Sequence, residues 1–205
     1  MRYINVYIRQ QGLSLIELLV TMSIAVILLA IGVPSFTDMM SVNTAVSYAN
    51  DLLADINYAR SEAITRGSKV VVCKGTATSA SSGCTTGNWE DGWKVFEDCD
   101  NNQQVSVASC PDRNGDGVAD DETVLRVHAP LSSGWTLRGN HNVANRIIIW
   151  PDGHTYNNGT LVACLHGVRN VGNQTRSSAV VINITGRARV SQDNNGDGIP
   201  DNCSL

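Results

Sequence analysis

The 205-residue chain is 42% hydrophobic and only 5% aromatic, with 15 Lys and Arg against 19 Asp and Glu for a formal charge of −4. This fits one modest domain plus an anchor, and the acidic balance excludes bulk electrostatic attraction to nucleic acid, leaving only a local basic patch for such a contact. Six cysteines with no CxxC pair exclude a zinc ribbon and a thioredoxin-type centre; an even count in Ser/Gly/Asn-rich sequence points to three disulfides in an oxidising compartment.

Arg2 and Arg9 precede the 21 residues Leu13 to Val33 (LSLIELLVTMSIAVILLAIGV), whose one charged member is Glu17. About 20 apolar residues suffice to cross a bilayer as a helix. The basic flank keeps the start cytoplasmic while the rest is exported. A secretory signal would carry its small-residue cleavage site after the apolar run. Gly32-Val33-Pro34-Ser35 is a poor match to one, and the small residue Gly12 stands before the run instead.

The stretch Gly12-Leu13-Ser14-Leu15-Ile16-Glu17-Leu18-Leu19-Val20 resembles the type IV prepilin signature G-F-T-L-I-E-L-L-V, with leucine at 13 in place of the usual phenylalanine. The resemblance implies that residues 1–12 are a leader peptide, cut by prepilin peptidase between Gly12 and Leu13. It also implies methylation of the new amino terminus at Leu13, with Glu17 as the family's acidic fifth mature residue. A lone carboxylate inside a membrane helix costs about 2.5–3.5 kcal/mol on insertion scales. In a filament, the amino group of Leu13 in a neighbouring subunit would pair with Glu17 during assembly. Residues 13–34 are then a single-pass helix in the bacterial inner membrane, and the remainder ends in a periplasmic or extracellular pilus among other pilin subunits.

Gly32 and Pro34 should kink or loosen this helix, since proline removes a hydrogen bond and crowds the preceding turn. Over 35–66, Val42, Ala45, Val46, Ala49, Leu52, Leu53, Ile56, Ala59, Ala63 and Ile64 recur at helical spacing. Asp38, Asn43, Asp51, Asp55, Arg60 and Glu62 fall between them, giving an amphipathic second half that ends near Arg66-Gly67.

Residues 67–205 carry short alternating or β-branched runs between turn residues, the mark of an antiparallel sheet. The expected strands are Lys69–Lys74, Gly92–Glu97, Thr123–His128, Trp135–Arg138, Arg146–Trp150, Thr160–His166, Ala179–Ile184 and Arg187–Val190. A long helix packed on antiparallel strands is an α+β fold, and the resemblance makes it a type IV pilin-like one.

The order of motifs also resembles the FimT/GspH group of minor pilins and pseudopilins. The matching pieces are Tyr58-Ala59-Arg60-Ser61-Glu62-Ala63, Val70-Val71-Val72-Cys73, Trp89-Glu90-Asp91-Gly92-Trp93-Lys94-Val95-Phe96, and Val181-Ile182-Asn183-Ile184-Thr185-Gly186-Arg187-Ala188-Arg189-Val190. Trp89 and Trp93 read as core packing.

Hairpin proximity pairs Cys73 with Cys84, Cys99 with Cys110 and Cys164 with Cys203, among 15 arithmetically possible pairings. Asp112, Asn114, Asp116, Gly117 and Asp120 form a D-x-N-x-D-G-x-x-D loop, which Asp193, Asn195, Asp197, Gly198 and Asp201 repeat. Alternating oxygen ligands around a glycine turn suit calcium. However, Thr123 and Ser204 stand where an EF-hand places its bidentate glutamate, and Asp-Gly turns form without metal. No cofactor is required on this reading, and calcium is an option that the loops leave open.

No nucleophile elbow, zinc-protease or phosphate-loop motif occurs, and His128, His141, His154 and His166 lack ligand spacing, so the sequence does not read as an enzyme. Gly186-Arg187-Ala188-Arg189 stands out. On a strand, Arg187 and Arg189 share a face, and Arg176 and Arg169 could join them. Clustered guanidiniums bind phosphate bidentately without reading bases. This G-R-x-R pattern resembles that of FimT-type minor pilins, which implies non-specific double-stranded DNA binding for uptake in natural transformation. The alternative is a purely structural GspH-like pseudopilin of a type II secretion system. A third option is an adhesin-like tip subunit shaped by its acidic loops.

Overall fold

The computed structural model describes residues 12, 14–76, 82–156, 158–165 and 177–191. The chain divides into two compact units, residues 1–40 and residues 41–205. Helix α1 (Leu15–Arg66) is 52 residues long, continuous through Gly32 and Pro34. Its start is capped locally: the Ser14 carbonyl accepts the Leu18 N–H, and the Ser14 hydroxyl accepts the Glu17 N–H at 3.3 Å.

In the first unit, every large apolar side chain described between Leu15 and Val33 is exposed, and Glu17 is exposed in the first helical turn. This is the one described helix long and apolar enough to cross a membrane. Thr21 and Ser23 return their hydroxyl protons to the carbonyls of Leu18 and Leu19, so they add no unpaired polar group to that surface.

The second unit is built on eight strands: β1 (Lys69–Lys74), β2 (Trp93–Asp98), β3 (Val124–His128), β4 (Trp135–Gly139), β5 (Arg146–Ile149), β6 (Gly159–Leu165), β7 (Ser177–Ile182) and β8 (Ala188–Ser191). They form two four-stranded antiparallel sheets, ordered β3-β2-β1-β5 and β4-β6-β7-β8. All eight correspond to expected strands, β1 with the expected ends and the others with ends moved by at most two residues. One core joins Ala45, Ala49, Leu52, Ile56, Ala59 and Ala63 of α1 to inward residues of both sheets, among them Val72, Val95, Ile147, Leu137, Leu161 and Ile182.

Strand β1 does not alternate between buried and exposed. Val70 and Val72 face the helix, while Val71 and Cys73 enter a second cluster with Phe96, Cys84 and Val105. A loop therefore covers the outer face of the first sheet, which is why the sequence there is a continuous apolar run.

Two assignments from helical periodicity change. Ile64 is 53% exposed, and Asp55, placed on the polar face, is only 4% exposed. Asp55 is buried because it is paired: it accepts the Trp93 indole N–H at 2.7 Å and Arg126 Nη1 at 2.6 Å. Burying a charge is tolerable when it is hydrogen-bonded and neutralised. The Arg126 guanidinium also stacks 4.1 Å above the Tyr58 ring.

The Trp89–Trp93 segment joins the layers. Trp89 lies in a 3-10 turn (Trp89–Asp91), and its indole N–H lies within hydrogen-bonding distance of the Val143 and Ala144 carbonyls, at 3.1 and 3.0 Å. Glu90 accepts from Arg138 on β4. Gly92 has φ +96°, and a Cβ there would lie 2.5 Å from the His128 carbonyl oxygen, so only glycine fits.

Candidate functional site

The Gly186-Arg187-Ala188-Arg189 segment forms the far side of the β7–β8 hairpin. The Asn183 carbonyl accepts the Gly186 N–H at 2.9 Å, while its side-chain oxygen accepts the Arg187 N–H at 3.0 Å and the Thr185 hydroxyl at 2.6 Å. Gly186 has φ +75°, and a Cβ at this position would run into the Gly153 carbonyl oxygen. The motif glycine thus has a structural role, letting two backbones meet at van der Waals distance.

Beyond the turn, Arg187 and Arg189 are both exposed, whereas the intervening Ala188 and the following Val190 pack on the core. β8 is the edge of its sheet, with Arg189 opposite Val181. Among the described residues, neither guanidinium has an ion-pair partner. Arg169 and Arg176, expected to join this patch, lie outside the described residues.

The hairpin is held from beneath by the turn Trp150–His154. Thr155 donates its N–H to the Ile184 carbonyl at 3.1 Å and its hydroxyl to the Asn183 carbonyl at 2.9 Å. Arg60 of α1 donates Nε to the Gly153 carbonyl at 2.8 Å. Asp152, the exposed carboxylate of this turn, is turned to His154; the His154 N–H, at 3.1 Å, and its ring hold the Asp152 carboxyl below its usual range.

The first acidic loop is closed by its own backbone. Asp112 accepts the N–H groups of Gly115 and Gly117 at 2.7 and 2.8 Å, which pull its carboxyl below the usual range. Asn114 takes the Asp116 N–H, Asp116 takes the Val118 N–H, and Asp120 takes the Arg113 N–H. The Asn114 and Asp116 contacts are Asx turns, and throughout the loop the oxygens suited to a cation already accept hydrogen bonds from the chain. Asp193, Asn195, Asp197 and Asp201 lie outside the described residues.

Disulfides join Cys73 to Cys84 and Cys99 to Cys110, with Cα separations of 5.2 and 5.1 Å. Cys164 is also disulfide-bonded, and Cys203, its expected partner, lies outside the described residues. Gly12 precedes the helix without close neighbours, and Leu13 lies outside the described residues.

Sequence reasoning missed the buried carboxylates. Glu97 is 0% exposed and bonds Arg113, Arg66 and Ser68. Burial alone would push its carboxyl up, but the Arg113 and Ser68 hydrogen bonds and the two arginine charges hold it below its usual range. Glu122 accepts the N–H groups of Cys99 and Ser106, at 2.7 and 2.9 Å, and so organises the Cys99–Cys110 loop; burial pushes it up. Nothing in a local window separates these acids from surface ones, because their partners lie far along the chain.

The family model for type II transport protein GspH matches residues 48–186, and that for the prokaryotic N-terminal methylation motif matches residues 8–33. No curated protein is significantly similar in sequence. Among solved structures, the chain is similar to the type IV minor pilin FimU of Pseudomonas aeruginosa, at 17% identity and TM-score 0.48, covering 73% of this chain and 90% of that one. It is also similar to the minor pseudopilin EpsH from the type 2 secretion system of Vibrio cholerae, at 13% identity and TM-score 0.43, covering 72% and 95%. With the GspH model spanning most of its length behind a methylation motif, the chain belongs to the GspH family of type II transport proteins.

Proposed function

We propose that this protein is a minor pilin, a structural subunit rather than an enzyme, that contacts double-stranded DNA non-specifically through Arg187 and Arg189 during DNA uptake in natural transformation. The observation that carries the reading is the pair of exposed arginines, Arg189 on edge strand β8 and Arg187 immediately before it, with no acidic partner among the described residues. Two such groups offer a planar fork to successive phosphates and read no bases. Processing follows the methylation motif: cleavage after Gly12, methylation of Leu13, and pairing of that amino group with Glu17 of a neighbouring subunit. The membrane anchor holds the chain at the inner membrane before assembly.

The test is fluorescence anisotropy of a labelled duplex with the full chain in detergent micelles, over a range of salt. Binding that weakens with salt, and that Arg187→Ala/Arg189→Ala largely abolishes without unfolding the protein, supports the reading. No binding at low salt by the folded, disulfide-intact chain overturns it and favours the structural pseudopilin role that the matched GspH family suggests.

A further inference from the structure

We propose that Arg60 of α1 is a third phosphate-contacting arginine of the hairpin surface, held in place by the turn that supports the hairpin. The inference rests on the DNA reading of Arg187 and Arg189 and adds to it a residue 127 positions upstream of Arg187.

The geometry begins at Gly153. Its carbonyl oxygen accepts Arg60 Nε at 2.8 Å, and the same oxygen faces Gly186 so closely that no side chain fits there. The point a Gly186 Cβ would occupy lies 3.3 Å from Arg60 Nε. The guanidinium of Arg60 therefore abuts the backbone of the residue immediately before Arg187. Only Nε is used in the contact. Among the described residues, the terminal nitrogens of Arg60 have no hydrogen-bond or ion-pair partner, and the side chain is partly exposed.

This arrangement suits phosphate for two reasons. An arginine anchored through Nε presents its outer fork in one orientation, so less rotamer freedom is lost on binding. The nearest carboxylate of the supporting turn, Asp152, is engaged by His154 rather than by Arg60. Arg60 thus brings a third guanidinium to the turn end of the hairpin that carries Arg187 and Arg189.

The experiment uses the full chain in detergent micelles and a duplex DNA probe. Each phosphate contact contributes about 0.9 to the slope of log affinity against log salt. Arg60→Gln, which retains a donor for the Gly153 carbonyl, should lower that slope by about one. Exchange protection of the Thr155 and Gly186 amides should stay intact, separating a phosphate contact from a loosened hairpin. A second measurement needs no variant: in the wild-type chain, DNA should shield Arg60 from phenylglyoxal modification, read by peptide mass, together with Arg187 and Arg189. An unchanged slope in Arg60→Gln, or modification of Arg60 that DNA does not slow while Arg187 is shielded, overturns this inference and leaves the DNA reading standing. If the wild-type chain binds no DNA, both fall together.

Discussion

Arg113 grips Glu97 with both terminal nitrogens, Nη1 reaching Oε2 at 3.0 Å, so a residue of an exposed acidic loop neutralises a carboxylate sealed inside β2. Arg66, in the last turn of α1, reaches the same carboxylate at 3.2 Å, and the Ser68 hydroxyl donates to it as well. One buried acid thus ties together the helix end, the first sheet and the loop.

Removing that acid should be costly. Glu97→Ala leaves Arg113 without its carboxylate and Arg66 with only Glu62, at 2.7 Å, and hydrogen bonds to charged groups contribute about 1.5–3 kcal/mol each. Because both arginines can still reach water, we expect a loss of about 2–3 kcal/mol, read as a shift in denaturant midpoint. Arg113→Ala should cost less, since Arg66 and Ser68 remain on Glu97. Equal losses from the two substitutions would show that the loop, not the acid, dominates.

The same carboxylate sets an acid limb. Its folded-state pKa lies below the ordinary value of about 4.5, so its stabilisation is present above that value and is lost as pH falls through the lower, folded value. Asp98 and Glu122 are pushed up by burial and act oppositely: their contribution is present at low pH and lost as pH rises through their folded values. Stability measured from pH 7 down to about 2.5 should therefore fall more steeply for wild type than for Glu97→Gln, whose side chain does not titrate. Parallel curves would contradict the assignment.

Asp55 offers a second test of buried charge. Asp55→Ala strands the Trp93 indole N–H in the core and removes the partner of Arg126, for an expected cost of about 2–4 kcal/mol. Trp93→Phe removes the indole donor together with part of a fully buried ring stacked on His128, a packing loss that the cycle cancels. A double-mutant cycle on thermal or denaturant midpoints should show coupling of about 1 kcal/mol. Additivity would mean that the indole bond contributes nothing beyond packing.

These acids mark the limit of what the sequence made legible. The helix end at Arg66 and strand β1 were readable because Gly67 and the run Val70-Val71-Val72 are strong local signals. Strand β7 begins two residues earlier than expected, at Ser177, because buried serines paired with Cys164 and Ala163 carry no hydrophobic pattern. The hairpin arginines were readable as an alternating pair, whereas Arg60 was placed among polar helix positions and in the Tyr58–Ala63 motif without a contact of its own. Its role depends on Gly153, 93 residues away, and no periodicity reports that distance.

Gly186 is testable for the same reason. Gly186→Ala places a methyl group against a backbone carbonyl that cannot rotate away, in a left-handed conformation that itself costs about 1–3 kcal/mol. We expect a loss of about 2–4 kcal/mol, combining that strain with displacement of the Gly153 turn. Exchange protection should be lost first at the Thr155 amide, which bonds the Ile184 carbonyl across the same contact. A substitution that leaves both stability and Thr155 protection unchanged would show that the hairpin stands apart from its support.

The acidic loop at 112–120 gives the last prediction. Both Asp112 oxygens already accept backbone N–H groups, from Gly115 and Gly117, and Asp120 accepts the Arg113 N–H, placing the loop against the arginine that neutralises Glu97. No carboxylate stands at position 123 to complete an EF-hand shell. The loop should therefore fold on its own hydrogen bonds: millimolar calcium should leave the thermal midpoint of the full chain unchanged, and Asp112→Ala should lower it equally with calcium or with a chelator. A calcium-dependent rise that Asp112→Ala abolishes would instead assign the loop to an ion, with the Asx turns serving as its scaffold rather than its substitute.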